Sequence, residues 1–410
     1  MSSLSNDPHL ALTGSEPQKS LVSRRFEDAN WGSLIITLGL IASWLIFGLI
    51  NDTFLTPMSL TNLLLQIAAL GTLATSTFLV LLLSEIDLSA SVVSGLSAGV
   101  MAVLNVKAGV PGPIAVLGGI LTGALLGLFQ GLWVTKLRIP SFIVTLAGMI
   151  GWQGVLVWVL GSTGTINLRD DFITGIAGTF FKQPIVGLAI GAMLVAGYAG
   201  SLWLDRRQRL ASSLYARSMR SLTWRVLLMA AIVGAGLLVF FADRGLPLVV
   251  VIFIGVVIFV DGLTKHTVYG RHIYAVGGQA ESARRAGIRV ERVRLSVFAL
   301  ASMIAAIAGI MTASRLFVAN RASGSVDFLL NAIAAAIIGG TSLFGGRGSA
   351  WSVVLGALVI GTIANGMDLV GFKTGSDLIT PLKSLITAGV LLAAVTLDVA
   401  MRRRRESAGR

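Results

Sequence analysis

Apolar runs of about twenty residues recur from Trp31 almost to the end of this chain, and they constrain its fold more than any other feature. A helix rises about 1.5 Å per residue, so roughly twenty residues cross a hydrocarbon core about 30 Å thick. Only 12% of the 410 residues are charged, against roughly 25% in a soluble domain. The sequence therefore predicts an all-α polytopic membrane protein with about ten to twelve transmembrane helices.

Twelve segments are long and apolar enough to be predicted as spans. They are residues 31–50, 60–83, 89–106, 113–134, 141–161, 184–204, 222–241, 246–262, 295–315, 325–344, 350–370 and 378–400. The segments that begin at 89 and 325 are rich in small residues, as re-entrant or broken helices are, so ten crossings is the alternative.

The same pattern sets the domain boundaries. We predict an N-terminal tail over 1–30, a transmembrane domain over 31–400 with loops at about 205–221 and 263–294, and a basic tail over 401–410. The first apolar run is too long for the core of a signal peptide, so we expect it to be retained as a span.

The position of the basic residues explains the net charge of +13. If the N-terminus is cytoplasmic, about 24 of the 32 Lys and Arg residues fall on the cytoplasmic side, as the positive-inside rule requires. Both termini are then cytoplasmic. The basic runs, including 402–405, are interpreted as topology signals, and no nucleic-acid partner is expected.

A stripe of small residues marks one face of the fourth predicted span. Gly119, Gly123, Gly127 and Gly131 recur every four residues, a spacing that lets a neighbouring helix approach closely. We favour packing within the bundle over a role at a subunit interface.

Ionisable residues are nearly absent from the centres of the predicted spans. Those nearest to them fall at or near span ends: Glu85, Asp87, Asp261, Asp368, Lys383 and Asp398. Ion-coupled carriers usually hold such groups near the midplane, so the driving energy is expected to come from outside the spans.

No residue pattern in the sequence indicates a site that could supply this energy. It has no cysteine and three histidines, so thiolate sites are excluded and neither a metal site nor a catalytic residue is predicted. Residues 371–374 come nearest to a phosphate-binding loop but lack the glycine before Lys373. No cofactor is expected here, and ATP would be bound by another chain.

The loop at 263–294 has the richest pattern. Residues 279–286 favour a helix, the pair Gly277–Gly278 gives it a flexible start, and Gly287 stands where a left-handed C-terminal cap needs glycine. The candidate site residues are Tyr274, Gly277, Gly278, Glu281, Ala283, Arg284, Gly287 and Ile288. The alternative interpretation is a solvated helix held to anionic lipid by its arginines.

This loop resembles the coupling loop of permease subunits in bacterial sugar ABC importers. In that family a Glu-Ala-Ala motif followed by glycine docks into a cleft of the ATPase subunit. Glu281, Ala283 and Gly287 match the motif, and Ser282 replaces its middle alanine. Residues 86–89, 139–146 and 338–349 are similar to other landmarks of the family, and 206–220 with 362–368 resemble its D-xylose-type members.

The resemblance implies an ABC importer permease bundle in a bacterial inner membrane, importing D-xylose or a related pentose. Its implied partners are an ABC ATPase, a periplasmic sugar-binding protein, the lipid bilayer and a second permease copy in a homodimer. The alternatives are an ion-coupled secondary carrier or channel for a small neutral solute, and a membrane scaffold without transport activity.

A neutral sugar needs hydrogen-bonding side chains along its path. The candidates are Gln66, Asn331, Thr341 and Asn365. Hydrogen bonds between neighbouring helices are the alternative role for each of them.

Overall fold

The computed structural model describes residues 31–213, 218–374 and 378–408, and these residues are helical apart from four short strands and the connecting loops. The helices are α1 (Trp31–Ile50), α2 (Pro57–Leu82), α3 (Ala90–Ala102, continued by a π-helical turn over Val103–Lys107), α4 (Gly112–Lys136), α5 (Ser141–Leu160), α6 (Asp171–Gly178), α7 (Pro184–Ala211), α8 (Met219–Ala242), α9 (Leu248–His266), α10 (Val268–Gly278), α11 (Ala280–Arg285), α12 (Val290–Leu316), α13 (Val326–Ile338), α14 (Ala350–Thr374) and α15 (Ile379–Ala408). The strands are β1 (Thr165–Asn167), β2 (Phe180–Phe181), β3 (Leu246–Pro247) and β4 (Val318–Asn320), paired antiparallel as β1–β4 and β2–β3.

The all-α membrane fold is confirmed. Within the described ranges nine helices are long and apolar enough to cross a membrane, and shorter apolar segments lie at Ile36–Ile50, Val326–Ile338 and Pro381–Ala393. Every predicted span therefore contains one apolar helix. The first thirty residues, predicted as a tail, lie outside the described residues.

Three helices do not end where the predicted spans end. The span predicted at 325–344 ends as a helix at Ile338, because Gly340 takes a φ of +88° and turns the chain away. The segment at 184–204 continues as α7 to Ala211, into the region predicted as a loop over 205–221. The tail predicted at 401–410 is helical as far as Ala408.

The most buried spans of the bundle are α2, α3, α12 and α14, and α4 packs along the outer side of α12. The glycine stripe of α4 lies against helices of the same chain, as packing within the bundle requires. Gly119 meets Ser97 of α3, and the other three glycines meet α12. A Cβ on Gly123 would lie 2.6 Å from the Ser302 carbonyl oxygen, and one on Gly131 would lie 3.2 Å from the Phe298 Cβ. Only glycine permits this approach over several turns.

A partly buried, non-helical segment precedes α3, as expected of a broken helix. The Thr145 hydroxyl accepts from the Leu88 N–H at 3.1 Å and lies 3.2 Å from the Ile86 carbonyl, to which it can donate. The Asp87 carboxylate accepts from the Ser89 N–H at 2.8 Å and from its hydroxyl at 2.6 Å. Irregular backbone is tolerated at this position because protein groups satisfy its polar atoms.

The two ends of the bundle differ in what they carry. We call the end with β1–β4 the strand end, and the end with α10 and α11 the loop end. α2 starts at the strand end with Pro57, capped by the Thr56 hydroxyl, and finishes at the loop end with Leu82. The helices α7 and α8 form a hairpin whose side chains are mostly exposed.

Candidate functional site

The loop predicted at 263–294 folds as two short helices rather than one. Thr267 caps α10 by accepting from the Gly270 N–H at 3.0 Å, and α10 then runs through Gly277 and Gly278 to its end. Gln279, with φ −160°, links it to α11. The prediction that the glycine pair gives a flexible start was therefore wrong.

Position 277 requires glycine because α10 contacts the end of α2 there. A Cβ on Gly277 would overlap the Leu82 carbonyl oxygen and lie 2.9 Å from the Gly346 nitrogen. The same Leu82 oxygen accepts from the Gly346 N–H at 2.9 Å. Gly278, one residue on, has no neighbouring atom within 4 Å of such a Cβ. Only the first glycine is thus needed for close contact.

Tyr274 ties the same helix to the loop that precedes α14. Its hydroxyl donates to the Gly348 carbonyl at 2.9 Å. Burial, with a smaller effect of the nearby Asp261 carboxylate, raises the pKa of Tyr274, and a hydrogen bond with Thr264 lowers it. The hydroxyl therefore keeps its proton and remains a donor at neutral pH. Sequence reasoning identified residues 338–349 as a family landmark but missed this contact with α10.

The helix α11 presents charge outwards and one small residue inwards. Ala283 is buried, whereas Glu281 pairs with Arg284 at 3.2 Å and with Arg285 at 3.4 Å. Arg284 also reaches Glu291, at 3.0 Å. Because these pairs are exposed, they add little to stability. Their charges remain accessible to a partner.

The predicted left-handed cap at Gly287 is confirmed by its φ of +84°. The Ile288 N–H donates to the Ala283 carbonyl and the Gly287 N–H to the Arg284 carbonyl, each at 3.0 Å. This is the Schellman pattern, which a residue with a Cβ adopts only with strain. The end of α11 is thereby fixed.

A charged cavity of about 270 Å³ lies between α11 and the rest of the loop end. Its ionisable lining residues are Glu85, Arg138, Arg284, Glu291 and Arg294. The Arg294 Nε lies 3.1 Å from the Glu85 Oε1, and the Glu85 side chain is only 12% exposed. The cavity thus connects α11, through Glu291 and Arg294 on α12, to the segment that precedes α3.

We expect Glu85→Gln to destabilise the protein by about 2 kcal/mol, because it leaves Arg294 partly buried without its counter-charge. The free energy of unfolding of the purified protein in detergent measures this. Asp205 and Arg209 form an exposed pair at 2.9 Å, so Asp205→Asn is the matched control, with an effect of at most about 0.5 kcal/mol. Equal effects of the two variants would contradict a structural role for the Glu85 pair.

The four candidate path residues do not form one cluster. The Asn365 Nδ2 donates to the Ser59 hydroxyl at 3.2 Å, which is a bond between two helices. Ser59 lies near the strand end of α2. Thr341 is buried beside Gly348 and Phe78 near the loop end, about 28 Å away along α2. Gln66 and Asn331 are half-buried on α2 and α13.

The profile of one family covers most of the chain. It is described as "Branched-chain amino acid transport system / permease component", and it matches residues 59–395. The chain belongs to this permease family. It is therefore a multi-pass permease of the inner membrane and a non-catalytic subunit of its transport system.

Similar proteins of known name cover the permease almost end to end. The xylose transport system permease protein XylH of Escherichia coli K12 is 35% identical over 92% of this chain and 94% of its own. XylH of Haemophilus influenzae is 32% identical over 93% and 99%. The ribose import permease RbsC of Bacillus subtilis is 31% identical over 88% and 91%. No solved structure matches the permease.

Proposed function

We propose that this permease forms the membrane path of an ATP-driven importer for D-xylose or a related pentose. The observation that carries the proposal is the end-to-end match with permeases named for xylose transport. Relatives named for ribose, D-allose and L-arabinose match less closely. They support a sugar as the class of substrate, while the two xylose-named permeases support a pentose.

We further propose that α10 and α11 receive the ATPase subunit. The exposed charges of α11 provide a surface for a protein partner, and the Gly277 and Tyr274 contacts hold α10 against α2 and the loop before α14. A helix that only rests on anionic lipid needs the arginines but not this close packing. A helix that transmits a conformational change needs both the exposed charges and the close packing.

The remaining partners follow from that arrangement. ATPase subunits of ABC transporters act in pairs, so two copies of the permease are expected, most simply as a homodimer. A periplasmic binding protein would deliver the sugar to the strand end. The positive-inside bias supports a cytoplasmic loop end and cytoplasmic termini.

Reconstitution in proteoliposomes tests the function. We expect xylose uptake only when the permease, its ATPase and its binding protein are present with ATP, and we expect unlabelled ribose or arabinose to compete less well than xylose. Uptake by the permease alone, driven by an ion gradient and indifferent to ATP, would establish the secondary-carrier alternative instead.

A further inference from the structure

The helix α13 begins inside the bundle and not at its surface. Gly309 of α12 lies beside Ser94 of α3. Because Gly309 is seven residues before the last residue of α12, this contact is about 10 Å below the strand end. Gly119 of α4, equally far from the start of its helix, lies beside Ser97. Ser97 follows Ser94 by three residues, so this second contact places Ser94 about 15 Å below the strand end.

The segment before α13 reaches further down than this. Ser323 lies beside Gly95, and Gly324 lies beside Ser91 and Val92. Ser91 precedes Ser94 by three residues, so the two contacts place Gly324 about 15 to 20 Å below the strand end. That is near the middle of a hydrocarbon core about 30 Å thick. The first turn of α13 therefore starts near the midplane.

Asp327 lies in that first turn, and its side chain is exposed. No described residue forms an ion pair with it. The cap of α13 is supplied by the Ser325 hydroxyl, which accepts from the Phe328 N–H, so the helix does not need Asp327 as its cap. A carboxylate that faces lipid at this depth costs several kcal/mol. Water or a polar solute is the environment that suits it.

The surface beside Asp327 is partly apolar. Val326 is 52% exposed and Leu330 49% exposed, and Asn331, one turn after Asp327, is half-buried. A sugar presents C–H groups as well as hydroxyls, so a surface that combines aliphatic side chains with a carboxylate and an amide matches it. Charged acceptors form the stronger hydrogen bonds.

We propose that Asp327 lines a water-filled sugar path at the midplane and accepts hydrogen bonds from sugar hydroxyls. The proposal rests on the proposed function for the identity of the solute. It differs from the expectation that the span centres are nearly free of charge, which followed from a predicted span at 325–344 with Asp327 at its outer end. Asn331, a sequence candidate, shares the helix face.

The absence of cysteine from the chain permits a clean test of water access. Asp327→Cys and Leu330→Cys are compared with Leu125→Cys, whose side chain is 65% exposed on α4, about 20 Å below the strand end. Each variant is assembled with the ATPase in liposomes and treated with a membrane-impermeant charged thiol reagent. We expect both α13 positions to react about tenfold or more faster than position 125, since thiolates form only in water.

Two results would overturn the proposal. One is a labelling rate at both α13 positions no higher than at Leu125→Cys. The other is the formation of a disulfide between two copies of Asp327→Cys without labelling, which would place α13 at a subunit interface. Leu330→Cys keeps the test decisive if Asp327→Cys does not reach the membrane.

Uptake tests the sugar contact. We expect Asp327→Asn to reduce ATP-driven xylose uptake at low sugar concentration by about tenfold, the effect of ~1.4 kcal/mol of lost interaction. Unchanged uptake would overturn the contact. Labelling of Asp327→Cys needs neither sugar nor ATP, so it tests the water-filled path independently of the transported solute. If Asp327→Cys is labelled but the wild-type complex does not import xylose, only the proposed function is contradicted.

Discussion

Gly277→Ala is expected to lower ATP-driven uptake by about tenfold or more, the equivalent of ~1.4 kcal/mol. The added Cβ overlaps the Leu82 carbonyl oxygen and approaches the Gly346 nitrogen to 2.9 Å. Backbone atoms on both sides cannot yield as the end of a flexible side chain can. The α10 helix must therefore move away from α2, and the hydrogen bond from Tyr274 to Gly348 is lost with it.

Gly278→Ala is the matched control for this substitution. It adds the same methyl group to the same helix, one residue later, where no atom lies within 4 Å. Uptake and sugar-stimulated ATP hydrolysis are measured for both variants at equal levels of permease in the membrane. If the two variants were equally active, the close contact of α10 with α2 would have no part in coupling.

Glu281→Lys is expected to reduce sugar-stimulated ATP hydrolysis by about tenfold or more while the protein still reaches the membrane. Glu281 is the acidic partner of both Arg284 and Arg285. The substitution removes both pairs and leaves three adjacent positive charges on α11. Like charges placed against a partner cost several kcal/mol when the interface excludes water.

Asp205→Lys controls for the general effect of charge reversal. Asp205 and Arg209 are four residues apart on an exposed helix, as Glu281 and Arg285 are, but they lie on α7, away from the loop helices. We expect normal ATP hydrolysis from this variant. Normal sugar uptake by Glu281→Lys, or an equal loss in Asp205→Lys, would contradict the assignment of α11 as the ATPase contact.

The sequence was sufficient for features that depend on composition and local conformation. Apolar runs located the twelve apolar helices found among the described residues, because burial in lipid requires such helices wherever the chain crosses. The cap at Gly287 was predictable since a φ of +84° favours glycine whatever surrounds it. The glycine stripe of α4 indicated close packing, although it could not name α12 as the partner.

Features that depend on contacts between distant segments were not predictable. Gly277 and Gly278 are equivalent in the sequence, and only the position of Leu82 distinguishes them. Hydropathy places Asp327 at the edge of a span, whereas our proposal that it lies near the midplane rests on the contact of Gly324 with Ser91. The candidates for the sugar path were chosen by residue type. The structure shows that Asn365 donates a hydrogen bond to Ser59 of another helix, α2.

The fit between α4 and α12 restricts where this permease can hinge. The glycines from Gly123 to Gly131 allow the backbones to meet over several turns, so sliding or rolling of one helix on the other would force glycine positions against side chains. We therefore expect the two helices to move together as one rigid body. The hinge motions of alternating access would then have to occur at the two non-helical segments, one before α3 and one before α13.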